Sequence, residues 1–468
     1  MSWPAARHRV NVRRPTQDEM NEENGTMSSL DGWLAPGVRL TSQMDETGVD
    51  DAVQPSAVPV FIGWSESSAS DDEPLGLIQC DASWVLSRPP GVYFDALRQY
   101  FDNGGERCYL LRLAPFPLTD GISLRALQAW WSQQLDKWLA PLLNEPSITL
   151  VAAPQLVGYI ELAEKLAEDI ADIGKPGDRG TAIAGALIAA WRSLLSAVTA
   201  SRPDLFFVLD APGDPAVAKT CIGALRGEQS LGELGQHAAL YGPHLMTDYR
   251  ADEGSDGQQG TLDGYRIVPP CGAVLGVMAR TDAEAGVWKA PANETLLHVL
   301  KPEYRETQTS GWFDVSQVTI NLIRSFPGRG TRIWGCRTLA GTAGTPFRYV
   351  QIRRMVTWIE ANLREVCRFA VFEPNHEITW FQLRGLCTAW LRRVWLDGGL
   401  AGTDEASAYT VQVGLDESMT QADIDAGRLI VKIGVAVLHA AEFIEVNLVL
   451  KQGHAALEGA ALAEDELA

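Results

Sequence analysis

The chain has no run of about 18 or more apolar residues, so hydropathy implies no membrane span. Its first residues, MSWPAARHRVNVRRPTQDEM, are positively charged but lack the apolar core of a secretory signal, so cytoplasmic synthesis is expected. Seven cysteines (80, 108, 221, 271, 336, 367 and 387) are scattered without CxxC spacing, which favours reduced, buried thiols over disulfides or zinc. The seven histidines show neither HExxH nor HxxxH, and Gly-x-Ser-x-Gly is missing, so metal ligation and a nucleophile elbow are disfavoured. Basic residues are in the minority: 39 Lys and Arg against 59 Asp and Glu leave a net charge of −20, which argues against nucleic-acid binding.

What is present is a basic, strongly patterned stretch from Ile323 to Phe372. Gly328 and Gly330 flank Arg329, so a bend or positive φ is expected there, and Thr331-Arg332-Ile333-Trp334 reads as a short strand. From Tyr349 the period becomes helical. Ile352, Met355, Val356, Ile359, Leu363, Val366 and Cys367 form an apolar stripe, with Arg353, Thr357, Glu360, Arg364 and Arg368 opposite. Between Arg324 and Arg393 twelve Arg face four Glu, so this window is +8 and the remainder is −28.

Upstream, apolar strands alternate with helices. VPVFIGW from Val58, Cys108–Leu113, Ile148–Ala152 and Leu205–Leu209 read as strands. Helices are expected around 94–101 (ended by Asn103-Gly104-Gly105), 124–143, 160–173, 182–200, 230–241 and 273–279. This alternation predicts an α/β layer with a mainly parallel sheet. A second amphipathic helix follows Asn375 and stops at Asp397-Gly398-Gly399. Strands are expected at 409–415, 429–437 and in FIEVNLVLK, ahead of a weakly helical or disordered tail. LFFVLDAP, ending near Asp210, has the form of a Walker B strand. GDRGTAIAG at 177–185 lacks the Lys-Ser/Thr pair that would cradle phosphate, and GRGTRIWG lacks the third dinucleotide-binding glycine. Asp210 therefore reads as a strand-end residue.

SFPGRGTRIWGCRTL followed by YVQIRRMVTWIEANLREVCRFAVFEPN closely resembles the tail sheath family of contractile phage tails and contractile injection systems. LAPGVRLTS near residue 34, the NGG turn and WKAPAN add to a resemblance that covers residues 34 to 451 and is densest from 267; the first 32 residues depart from it. It implies an outer α/β domain with a mainly parallel sheet (55–266), an inner α+β sheath core domain (267–438), and terminal arms (1–54 and 439–468) for intersubunit strand exchange. It also implies a non-enzymatic subunit without cofactors, in a phage tail or phage tail-like particle. Partners would be further copies in six-fold helical rings, an inner tube protein, and baseplate and tail terminator or cap proteins, with no nucleic acid. A static baseplate-associated protein and a nucleotide-dependent enzyme are the rival readings.

Two residue sets follow. Val38 and Leu40 at one end, and Ile444, Val446 and Leu448 at the other, are the candidate exchanged strands, since a strand on a flexible arm can add to a neighbour's sheet edge; the alternative is that both complete this chain's own sheet. Arg353, Arg364, Arg368, Arg384, Arg392 and Arg393 are candidate inner-tube contacts. The alternatives are a solvated helix face or pairing between sheath subunits.

Overall fold

The computed structural model describes residues 54–64, 75–114, 123–166, 176–251, 260–340, 346–439, 442, 445–451 and 454–460. Val38, Leu40 and Ile444 lie outside them. In chain order the strands are β1 (Pro59–Gly63), β2 (Gly76–Cys80), β3 (Cys108–Arg112), β4 (Leu150–Ala152), β5 (Phe206–Asp210) and β6 (Ala238–Gly242). Then come β7 (Leu245–Arg250), β8 (Thr261–Leu262), β9 (Tyr265–Val268), β10 (Val299–Pro302), β11 (Asn321–Phe326) and β12 (Gly330–Trp334). The last four are β13 (Tyr409–Gln412), β14 (Lys432–Val435), β15 (Glu445–Lys451) and β16 (His454–Ala460). The main helices are α1 (Val92–Asp102), α2 (Leu124–Asn144), α3 (Pro154–Leu166), α4 (Pro176–Thr199), α5 (Pro215–Arg226), α6 (Cys271–Ala285), α7 (Val350–Val366) and α8 (Glu377–Leu396).

One eight-stranded sheet runs β12-β11-β6-β5-β4-β1-β3-β2. Its six central strands are parallel, and the two edge strands are antiparallel. Alternation along each strand feeds both faces. Val60 and Ile62 join Phe207 and Leu209 against α2 to α5, while Phe61, Phe206 and Val208 face α1 and α6. Helix α4 is long and apolar enough over Arg179–Thr199 to cross a membrane, but Leu187, Ile188, Leu194 and Leu195 are buried in the core beside the sheet. The small residues of α6 permit close packing on α1: a Cβ on Gly272 would lie 1.9 Å from the Ala96 carbonyl oxygen, and one on Gly276 would lie 2.4 Å from that of Tyr100. A four-stranded antiparallel sheet, β10-β7-β9-β8, accompanies the large one.

Two expectations need correction. Residues 230–241 are not an α-helix: a 3₁₀ turn at Gly232–His237 leads into β6, buried throughout. Buried on both faces, a strand shows no period-2 alternation, and its Ala/Leu content mimics a helix. The tail is likewise neither helical nor without structure at its start, because β15 and β16 form an antiparallel hairpin from Glu445↔Ala460 to Lys451↔His454. The large sheet draws strands from both sides of residue 266, since β11 and β12 continue beyond β6.

Candidate assembly surfaces

The Pro327-to-Gly330 turn closes the β11–β12 hairpin, with Gly328 and Gly330 at φ 71° and 73°, a region costly for any residue with a Cβ. The chain then reaches Arg337, whose backbone N–H donates to Asn321 Oδ1 at 2.7 Å while its carbonyl accepts from Asn321 Nδ2 at 2.7 Å. The Arg337 side chain is only 1% exposed. Its Nε and Nη2 donate to the two carboxylate oxygens of Glu442 at 2.7 and 2.6 Å, and Nη1 donates to the carbonyls of Asp314 and Val315. Tyr349 Oη also donates to Glu442, at 3.1 Å. A buried guanidinium is tolerable only when its donors are occupied in this way. The result is that the chain is pinned three residues before β15.

The other end has a matching joint. Arg354 donates from Nη1 and Nη2 to Asp282 on α6 at 3.1 and 2.5 Å, and Nη2 also donates to the Ser56 carbonyl. Ser56 Oγ donates to Asp282 at 2.6 Å. Gln54 N–H donates to Asn362 Oδ1, and Trp358 Nε1 donates to the Gln54 carbonyl, so α7 holds residues 54–56. One motif-bearing stretch thus supplies Arg337 and Arg354, and each ties down a segment next to a terminal arm. Local pattern could not reveal this, because the carboxylate partners lie 105 and 72 residues away in sequence.

Strands β13 and β14 form an isolated two-stranded sheet, and neither pairs with a further described strand on its outer edge. Val446 and Leu448 lie in β15, opposite Gly459 and Leu457 of β16.

The six candidate arginines do not share one situation. Arg353 is corrected from the exposed face to the interior. It is 8% exposed, donates to Thr357 Oγ1 at 2.8 Å and stacks on Phe347, because the first turns of α7 are enclosed all round. Arg364, Arg368, Arg384, Arg392 and Arg393 are exposed. Arg368 pairs with Glu365 at 3.1 Å, Arg392 with Glu405 at 2.9 Å, and Arg384 with Glu417. Sequence periodicity does not flag a set of exposed apolar side chains here: Phe369, Val371 and Phe372 between α7 and α8, and Ile378 and Phe381 in the first turns of α8, with Phe372 fully exposed at φ 73°. A consecutive Val-Phe pair just past a helix was the available signal.

Asp210 ends β5 fully buried, and its carboxylate accepts the Cys271 N–H at the start of α6 at 2.7 Å. Desolvation pushes its pKa up to about 7. Residues 177–185 lie inside α4, so they form no phosphate loop beside it. No group of three or more His, Cys, Asp or Glu able to hold a metal occurs among the described residues.

Residues 342–451 match the family described as the phage tail sheath C-terminal domain. The tail sheath protein of Vibrio phage KVP40 is 24% identical over 193 residues, 40% of this chain and 27% of that protein. That of Enterobacteria phage T4 is 28% identical over 145 residues, 29% of this chain and 21% of that protein. The chain therefore spans under a third of either phage protein. A chain in the structure of the anti-feeding prophage baseplate in its contracted state superposes with a TM-score of 0.69 at 30% identity, covering 92% of this chain and 100% of that one. The chain belongs to the contractile tail sheath family. Another sheath-family likeness is to the sheath complex of the extracellular contractile injection system PVC in its contracted state, at TM-score 0.62 and 26% identity, covering 89% and 98% of the two chains. The family is a structural one, and its mixed α/β architecture with a mainly parallel large sheet is that seen here.

Proposed function

We propose that this chain is the subunit of a contractile sheath that polymerises as stacked hexameric rings around an inner tube and contracts to drive that tube through a target envelope. The observation that carries this reading is a two-stranded sheet joined to firmly held segments at both ends of the core. The β13–β14 sheet pairs with no further described strand, and the chain is clamped at Ser56 and Glu442, beside the proposed arms. Backbone hydrogen bonds from a neighbour's arm complete such a sheet, and flexible connections let the subunits rotate while staying tied. Val38 and Leu40, with Ile444, Val446 and Leu448, are the proposed exchanged strands. For β15 this means exchanging its hairpin partner for a neighbour's edge.

On this reading residues 55–266 form the outer domain and 267–438 the inner core, which lends β11 and β12 to the outer sheet. Residues 1–54 and 439–468 are the arms. The inner tube docks through the exposed Arg364, Arg368, Arg384, Arg392 and Arg393, with Phe372 and Phe381 as apolar contacts. Exposed ion pairs are individually worth about 0 to 1 kcal/mol, so such a contact breaks in many small steps during contraction. Baseplate and terminator proteins cap the polymer in the particle, and no nucleotide or cofactor is required. Electron microscopy of particles made with the tube protein tests this. Sheaths of two lengths, before and after urea or acid triggering, support contraction; one unchanging length refutes it.

A further inference from the structure

Cys367 and Cys387 lie 20 residues apart in sequence, but the turn from α7 to α8 brings their sulfurs to 3.6 Å. Cys367 is the C-cap of α7, and Cys387 sits in the middle of α8. Cys387 is fully buried, in the core cluster of Met355, Leu363 and Leu391. Cys367 is half-buried, and of the seven free cysteines it alone is not enclosed. One thiol is therefore reachable from solvent and the other stands directly behind it. Cys80 and Cys108 also face each other, in the β2–β3 register. Both of those are buried, however, and their thiols donate to the backbone carbonyls of Ile78 and Cys80.

The thiolate is the reactive form of cysteine. The Cys387 thiol donates its hydrogen bond to Cys367, which holds the Cys367 pKa below the ordinary thiol value and raises that of Cys387. Cys367 is thus the nucleophile and Cys387 the resolving thiol. A disulfide has S–S near 2.0 Å, so closing the 3.6 Å gap moves the sulfurs by about 1.6 Å. That movement falls where α7 gives way to a 3₁₀ turn at Arg368–Ala370, a place where the backbone yields more readily than inside a helix. We propose that Cys367 and Cys387 form a peroxide-sensitive dithiol that closes to a disulfide between α7 and α8. Cys367 Sγ attacks one peroxide oxygen, the O–O bond breaks, and the departing hydroxide takes up the thiol's proton as water. Cys387 Sγ then displaces the hydroxyl of the Cys367 sulfenic acid, which leaves with the Cys387 proton as a second water. Two thiols are oxidised and one peroxide is reduced. The new bond closes a loop that carries Phe369, Val371, Phe372, Ile378 and Phe381, the exposed apolar set. The chemistry is independent of the sheath reading; only the consequence, that a stretch proposed to meet the tube becomes cross-linked, rests on it.

The test treats the folded full-length chain with hydrogen peroxide and reads its intact mass and its non-reducing tryptic map. The expected result is a loss of about 2 Da, reversed by dithiothreitol, with one new species joining the peptides Glu365–Arg368 and Gly385–Arg392. An unchanged mass, a Cys80–Cys108 link in place of this one, or oxidation of Cys367 to sulfinic acid without a cross-link overturns the proposal. The order of events is read from single variants. Cys387→Ser is expected to strand the sulfenic acid on Cys367, where dimedone labels it, and Cys367→Ser is expected to leave Cys387 unlabelled. Labelling of Cys387, or none of Cys367, contradicts the roles assigned. The wild-type map needs no substitution, so it decides the proposal even where a variant fails to fold.

Discussion

The eight-stranded sheet and the β13–β14 sheet differ in sequence and in finish: buried apolar runs such as FFVLD build the centre of the first, YTVQ and KIGV the second. The large sheet has helices on both faces and is buried through its centre, while the small one has two strands among the described residues. A two-stranded sheet is marginal alone. The first region is enclosed within one polypeptide; the second is extended by no further described strand. In a polymer that must reshape without falling apart, rigidity belongs in the first and exchangeable pairing in the second.

The largest effects are expected at the buried ion pairs that hold the chain's ends. Arg337→Leu strands the Glu442 carboxylate against a buried wall, and losing one partner of such a pair costs about 3–5 kcal/mol. Denaturant titration is expected to show a loss of that order, with polymer abolished even where monomer survives. Polymer yield equal to wild type would separate the joint from assembly. In the closed region, Gly276→Val drives a side chain into the Tyr100 carbonyl, and overpacking of this kind costs about 1–3 kcal/mol. A fall in monomer Tm is the readout, with assembly changed only as far as folding is. At the open face, Phe372→Asp is expected to weaken co-sedimentation with the tube about tenfold while leaving monomer Tm unchanged, and Arg364→Glu to weaken it less.

The smallest effect concerns pH. Asp210 has a folded pKa raised to about 7 from an ordinary 3.8, so its contribution to stability is full below about 4 and is lost as pH rises toward 7. Asp210→Asn keeps an oxygen acceptor for the Cys271 N–H and removes this loss. It is expected to raise Tm at pH 8 relative to wild type and to change it little near pH 4; equal shifts at both pH values contradict the assignment.

Much of the closed region was legible because its rules are local. Gly104 follows the end of α1, and the apolar runs at β1, β3 and β5 are strands. What escaped depended on distance along the chain or on enclosure from several sides. Arg353 and Arg354 sit at helix positions where period 3.6 sees a charged face, yet other elements cover them. Arg337 and Glu442 acquire meaning only when segments remote in sequence meet. β16 was hidden by its Ala-rich, helix-favouring composition, which pairing with β15 overrides.

Arm exchange requires that the arms alone turn a folded monomer into a polymer. Expressing residues 55–442, and comparing them with the full chain by thermal unfolding and electron microscopy, measures this directly. A cooperative unfolding transition near that of the full-length monomer, with no rings or sheaths at any concentration, is the expected result. Ordered sheaths assembled from the armless chain would contradict it.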